Sequence, residues 1–94
     1  MELPVNYEKL DWEQRRNVRE QYVNIQGGKC YYCQRPLDMP ITKEQMKNRP
    51  IFKRLFPKNF FKYPVHLHHN HDTGMTIGAV HNYCNAVLWQ YHKE

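Results

Sequence analysis

The chain has 94 residues, a formal net charge of +5 and three cysteines, which suits one small domain. A core of this size often needs a disulfide or a metal ion to stabilise it, and three cysteines cannot all pair. The sequence has no secretion signal and no apolar run of membrane-spanning length. We therefore expect a soluble protein of the cytoplasm with no membrane partner.

The first predicted element is a helix over residues 12–26. Asp11 can cap its N-terminus with Gln14 three positions later, and Gly27-Gly28 ends it. The apolar positions follow a partly helical spacing: Leu10, Trp12, Val18, Tyr22, Val23 and Ile25. The same helix carries three candidate contacts to a polyanion, Arg15, Arg16 and Arg19.

Residues 38–64 form a basic, aromatic insertion that prolines divide into short pieces. One piece, 43–49, is predicted to be a short helix because Thr42 and Gln45 resemble a capping box. All four phenylalanines lie in the insertion, so it could bury an apolar side and present its cations to a polyanion. The alternative is a solvated basic loop over an aromatic cluster. Between Thr42 and Pro64 the chain has one acid, Glu44, and seven basic residues: Lys43, Lys47, Arg49, Lys53, Arg54, Lys58 and Lys62.

The last third of the chain predicts a hairpin followed by a helix. Residues 65–69 are typical of a strand, 72–74 of a turn and 75–78 of a returning strand, and 82–93 contain no glycine or proline. With the N-terminal helix, these elements give a small α+β domain.

Two residue pairs with the same two-residue gap predict a metal site: Cys30-x2-Cys33, within a knuckle at 27–37, and His81-x2-Cys84. Such a gap lets neighbouring side chains bind one ion, and together the pairs form a closed Cys3His set, typical of structural zinc. The alternative is that Cys84 is a buried thiol and His81 a surface residue. If His81 is not the fourth ligand, His92 or a water must be.

Four further histidines, His66, His68, His69 and His71, crowd the predicted hairpin. Neighbouring histidines can divide labour, one coordinating a catalytic metal ion while the other accepts a proton from water. Asn85 directly follows Cys84, so the zinc would fix it at the start of the last helix, facing the hairpin.

The segments "GGKCYYCQRPL" (27–37) and "HLHHNHDTGMTIGAVHNYCNAV" (66–87) resemble the HNH, or ββα-metal, nucleases, in particular the phage recombination endonuclease VII group. The resemblance implies a zinc-stabilised ββα-metal motif at 65–93 within one HNH domain, 1–94, that has an N-terminal helix and a basic insertion. A phage-encoded enzyme of this kind would act in the cytoplasm of its host cell.

Carried over by position, the resemblance implies Cys30, Cys33, His81 and Cys84 as ligands of structural zinc. It implies His68 and Asn85 as ligands of a catalytic divalent ion (Mn2+, Ni2+ or Mg2+), His69 as general base and His71 as a contact to the scissile phosphate. His81 stands where the group usually has cysteine, and His68 where it has aspartate. The group also has a further C-terminal helical region, whereas this sequence ends at Glu94. We therefore expect nicking or double-strand cleavage rather than junction resolution.

The predicted function is metal-dependent DNA cleavage by a one-metal mechanism. Lys53, Arg54, Lys58 and Lys62, with the helix arginines, would contact DNA phosphates without reading sequence. The expected partner is DNA, with no small-molecule cofactor beyond metals; a homodimer or a recruiting protein stays open. One alternative is a non-catalytic, zinc-stabilised DNA-binding module, a regulator or architectural protein. Another makes His68 and His69 part of a second structural zinc site.

Overall fold

A computed structural model describes residues 2–92. Met1, Lys93 and Glu94 of the predicted domain, and with them the end of the helix expected at 82–93, lie outside the described residues. The elements are a 3-10 turn at Tyr7–Lys9, α1 at Trp12–Ile25, α2 at Lys43–Asn48, a second 3-10 turn at Lys53–Leu55, β1 at Val65–His69, β2 at Thr76–His81 and α3 at Asn82–His92. The fold is a small α+β arrangement with a two-stranded sheet, as predicted.

Helix α1 begins at the predicted capping box. The Gln14 backbone N–H donates to the Asp11 side chain at 2.8 Å, and the Asp11 backbone N–H donates to the Gln14 side chain at 3.0 Å, so two otherwise unpaired donors are satisfied. The helix ends at Ile25, one residue before the predicted end. Its buried face is narrower than the sequence pattern indicated, because Trp12 is 74 % exposed.

Strands β1 and β2 form an antiparallel hairpin. Strand β1 has the predicted bounds, whereas β2 begins at Thr76, one residue after the predicted start, and ends at His81, three residues beyond the predicted end, with its last four residues buried. In the turn, the Asn70 side chain accepts from two backbone N–H groups, at 2.8 and 3.0 Å. Gly74 has a φ of +77°, and a Cβ there would lie 2.8 Å from the Asn6 side chain, so this turn position requires glycine.

The pairing register slips between His68 and His69, where β2 contributes one extra residue. Without such a bulge, two adjacent strand residues would point to opposite faces of the sheet. The bulge lies at the turn end of the hairpin, where His69 pairs with Thr76.

The core lies between the hairpin and the two long helices. Val18 of α1 and Ala79 and Val80 of β2 are fully buried, and each such valine contributes about 1.5–3 kcal/mol relative to an exposed one. The Tyr22 hydroxyl lies 2.9 Å from the Thr76 hydroxyl, which satisfies both inside the core. These contacts fix α1 against β2 and so fix the knuckle that follows α1.

The N-terminal segment pairs with the hairpin turn, a contact that local sequence patterns did not indicate. The Tyr7 N–H donates to the Gly74 carbonyl at 2.7 Å, and the Thr76 N–H donates to the Val5 carbonyl at 2.8 Å. This pairing brings the Tyr7 ring beside the histidines of the hairpin.

The insertion has the predicted capping box at Thr42 and Gln45, and α2 ends at Asn48, one residue before the predicted end. Its aromatic rings pack against α3: Phe56 lies 4.8 Å from Phe60 and 5.4 Å from Trp89 between ring centroids. Phe52 stays 57 % exposed, so the aromatic cluster holds three of the four phenylalanines. None of the helices described here has the length and apolar character to cross a membrane.

Candidate metal centre and histidine cluster

The predicted Cys3His set converges in the structure. The ligand atoms of Cys30, Cys33, His81 and Cys84 all lie within 4.8 Å of one another, and they are the only such group of three or more found within residues 2–92. Cys30 and Cys33 come from the knuckle, where the Cys30 N–H donates to the Arg35 carbonyl at 2.8 Å. His81 ends β2 and Cys84 lies in the first turn of α3.

Two edges of the cluster have the lengths expected in a tetrahedral zinc site. The His81 Nδ1 atom lies 3.4 Å from the Cys33 sulfur and 3.7 Å from the Cys84 sulfur. Ligands at the usual Zn–S and Zn–N distances lie roughly 3.5–3.8 Å apart along the edges of a tetrahedron. These four residues could therefore hold a structural metal ion such as zinc.

The second nitrogen of His81 is fixed by the knuckle. Its Nε2 atom lies 3.0 Å from the Pro36 carbonyl and 2.9 Å from the Met39 carbonyl, so Nε2–H donates and Nδ1 keeps its lone pair for a metal ion. His92, the fallback ligand, lies outside the cluster, with its Nε2 atom 3.4 Å from the Tyr32 hydroxyl. The structure thus brings together the four predicted ligands and leaves His92 apart.

Two thiols of the cluster, Cys30 and Cys84, have pKa values shifted in opposite directions. A hydrogen bond from Cys84, helped by backbone N–H groups and opposed by burial, lowers the pKa of Cys30 to about 4. The same hydrogen bond to Cys30, together with burial, raises the pKa of Cys84. A cation that binds all three sulfurs would replace the shared proton.

At the other end of the hairpin, His69 lies in a column of stacked groups. Its ring stacks on Tyr7 with centroids 3.9 Å apart and an interplanar angle of 6°. The Arg15 guanidinium lies over the Tyr7 ring, 3.9 Å from its centroid, and donates to the Tyr7 carbonyl at 3.2 Å. His71 lies on the turn side, 4.8 Å from His69 between centroids. Burial, followed by the charges of His71 and His68, lowers the pKa of His69, which favours a neutral imidazole.

The other two hairpin histidines differ in their surroundings. His68 is 2 % exposed, one of the most buried side chains of the domain. His66 is half-buried, and its Nδ1 atom lies 3.1 Å from the side-chain nitrogen of Asn85. The sequence had named Asn85 but not its contact with His66, which depends on the rotation of α3 against β1.

Two clefts flank the Asn85 side chain and share Phe60 as a common wall. The first, which we call the α1 cleft, has a volume of about 390 Å³ and is lined on one side by α1 and on the other by His66. The second, the insertion cleft, has a volume of about 230 Å³ and is lined by His71, Trp89 and residues of the insertion. The insertion therefore packs directly beside His71 and Asn85.

The predicted basic contacts are spread over several surfaces. Arg15 and Arg19 line the α1 cleft, whereas Arg16 lies 3.8 Å from Glu20 in an exposed ion pair. Lys62 lies 5.5 Å from the ring centroid of Tyr63, another residue of that cleft. On the insertion, the remaining three are exposed: Lys53, Arg54 and Lys58.

A comparison of the chain with family models, curated proteins and solved structures finds no match.

Proposed function

We propose that this chain is a metal-dependent DNA endonuclease of the HNH, or ββα-metal, type, similar to the endonuclease VII group. One observation carries the proposal: the hairpin and helix that share the Cys3His cluster also bring His71 beside His69 and, in the insertion cleft, beside Asn85. A zinc-stabilised binding module needs the first feature and has no use for the second.

His69 is the proposed general base. The Tyr7 ring holds its imidazole by stacking, and its lowered pKa keeps it neutral and able to accept a proton from water. His71, 4.8 Å away and exposed, is the proposed contact to the scissile phosphate. An imidazole that accepts the proton of the nucleophile removes the need for a second metal ion.

His68 and Asn85 are the residues proposed to hold the catalytic divalent ion. When bound, this ion supplies charge stabilisation to the reacting phosphate. Both proposed ligands are neutral, and imidazole suits manganese or nickel better than magnesium. The substrate phosphate must therefore contribute much of the binding of the ion.

The arginines of the α1 cleft and the exposed cations of the insertion are the proposed phosphate contacts. Arg15 and Arg19 line the α1 cleft beside His66, and the insertion that carries the exposed cations lines the second cleft beside His71 through other residues. Such contacts position DNA without specifying its sequence.

The test is cleavage of supercoiled plasmid by the purified zinc-loaded protein with added manganese, nickel or magnesium. We expect nicked or linear product from the wild type and none from His69→Ala, because general bases contribute roughly 100- to 10,000-fold in rate. His92→Ala, which removes an exposed histidine that lines neither cleft, is the matched control and should cut normally. Cleavage by His69→Ala at the wild-type rate would refute the assignment of the base. If neither the wild type nor any variant cleaves the plasmid, the result would favour the non-catalytic binding module.

A further inference from the structure

The α1 cleft has a composition that none of the proposed catalytic roles requires. Two cations, Arg15 and Arg19, line it, and no carboxylate does, so the cleft favours an anionic ligand. Arg15 is already fixed by its hydrogen bonds to the Tyr7 carbonyl and can offer its charge at little further cost in side-chain entropy.

Aromatic rings stand at the cleft beside these cations. Trp12 of α1 is 74 % exposed, and Tyr63, which precedes β1, is 61 % exposed. The backbone carbonyl of Tyr63 accepts from the Asn82 side chain at 2.9 Å, so the chain at this residue is fixed while its ring remains in solvent. A capped helix end likewise fixes Trp12. Two large exposed rings on fixed backbone positions at a cationic cleft are suited to stacking on a ligand.

We propose that the α1 cleft binds one unpaired nucleotide, with its base against Trp12 and its phosphate at Arg15 and Arg19. Single-stranded nucleic acid is bound by this combination of aromatic faces and positive charge, because every base has a stacking face. The volume of about 390 Å³ lies in the range of small-ligand sites, and it is far too small for a duplex.

This inference rests on the proposed nuclease function and adds the substrate class to it. His66 and Asn85 form the inner wall of the cleft, and the Tyr7 ring separates the cleft from His69. A nucleotide in the cleft therefore lies one ring away from the proposed general base. The preferred substrate has an unpaired nucleotide next to the cleaved bond, as in single strands, flaps or mismatches.

The chain offers a direct optical test because it has two tryptophans, Trp12 and Trp89. In Trp89→Phe, Trp12 is the sole tryptophan reporter, and in Trp12→Phe the reporter is Trp89. Zinc-loaded protein without other divalent ions is titrated with an octamer of thymidine nucleotides, an abasic octamer of equal charge and a blunt duplex. We expect the thymidine octamer to quench Trp12 fluorescence, and the abasic octamer and the duplex to leave it unchanged. Trp89, which lines the insertion cleft, should respond less than Trp12.

A second measurement uses labelled octamers and fluorescence anisotropy. Trp12→Ala should weaken binding of the thymidine octamer by about 5- to 140-fold, the loss of one stacked base, and should leave binding of the abasic octamer unchanged. Equal affinity of the wild type for both octamers, or quenching by duplex as strong as by single strand, would overturn the inference. If the protein cleaves plasmid but binds the thymidine octamer no better than the abasic octamer, the nuclease proposal stands and only the nucleotide-binding proposal is refuted.

Discussion

His81 is the ligand on which the zinc assignment depends, because the other three members of the cluster are cysteines. Its ring is 3 % exposed, with Nδ1 facing two sulfurs and Nε2 facing two carbonyls. Replacement by alanine removes one ligand and leaves those carbonyls without their donor. His81→Cys restores a sulfur ligand of the kind that zinc accepts.

The size of the effect follows from the size of the domain. Structural zinc contributes about 10–16 kcal/mol of apparent binding free energy in small zinc domains. A domain of this length has a total free energy of unfolding of only about 5–15 kcal/mol. Loss of the ion should therefore unfold most of the protein at room temperature.

The assay combines zinc content by mass spectrometry with thermal unfolding followed by circular dichroism. We expect one zinc ion per wild-type chain, none and no cooperative melt for His81→Ala, and recovery of both in His81→Cys. His92→Ala is the matched control and should resemble the wild type. A cooperative melt with full zinc content in His81→Ala would show that the cluster does not use this histidine.

Four further predictions concern other parts of the molecule. Neutralising Lys53, Arg54 and Lys58 together should weaken DNA binding at all sequences. The slope of log affinity against log salt concentration should fall by about one unit per lost phosphate contact, and an unchanged slope means that the insertion faces away from DNA. Tyr7→Ala should lower the cleavage rate by up to about a hundredfold through misplacement of His69, whereas Tyr7→Phe, which keeps the ring, should cut normally; equal rates for the two variants would exclude the stack. His68→Asp should shift metal preference towards magnesium in a plasmid assay, and no shift would place the ion elsewhere. Gln26→Ala should lower the free energy of unfolding by about 1–3 kcal/mol in urea titrations, because the buried Ala79 N–H loses its acceptor; an unchanged midpoint would refute this role.

The features that the sequence predicted are those that depend on nearby residues. The capping boxes at Asp11 and Thr42 need only a partner three positions away, so both helix starts were predicted correctly. The Cys3His cluster was predicted because each pair has the spacing that a single ion imposes. The α+β class follows from the same local patterns.

The features that the sequence did not indicate depend on contacts between distant segments. The stack of Tyr7 on His69 requires the N-terminal segment to pair with the hairpin turn. The Gln26 side chain, at the C-cap of α1, pairs with Ala79 of β2 much as a neighbouring strand would, and no local pattern shows this. Trp12 looked like part of an amphipathic helix face, and its exposure became visible only once α1 was placed against the hairpin.

The order of the zinc ligands along the chain has a consequence for how such a protein can change. Cys33 and His81 are 48 positions apart, and the basic insertion lies between them, so an ion bound by both would close a long loop. The entropy of closing a loop grows slowly with its length, by about 0.6 kcal/mol for each doubling. Exposed parts of the insertion that do not pack against α3 can therefore lengthen or shorten at small cost to the stability of the whole. Selection, or an engineer, could vary the insertion beside the histidines while the two ligand pairs continue to hold the scaffold.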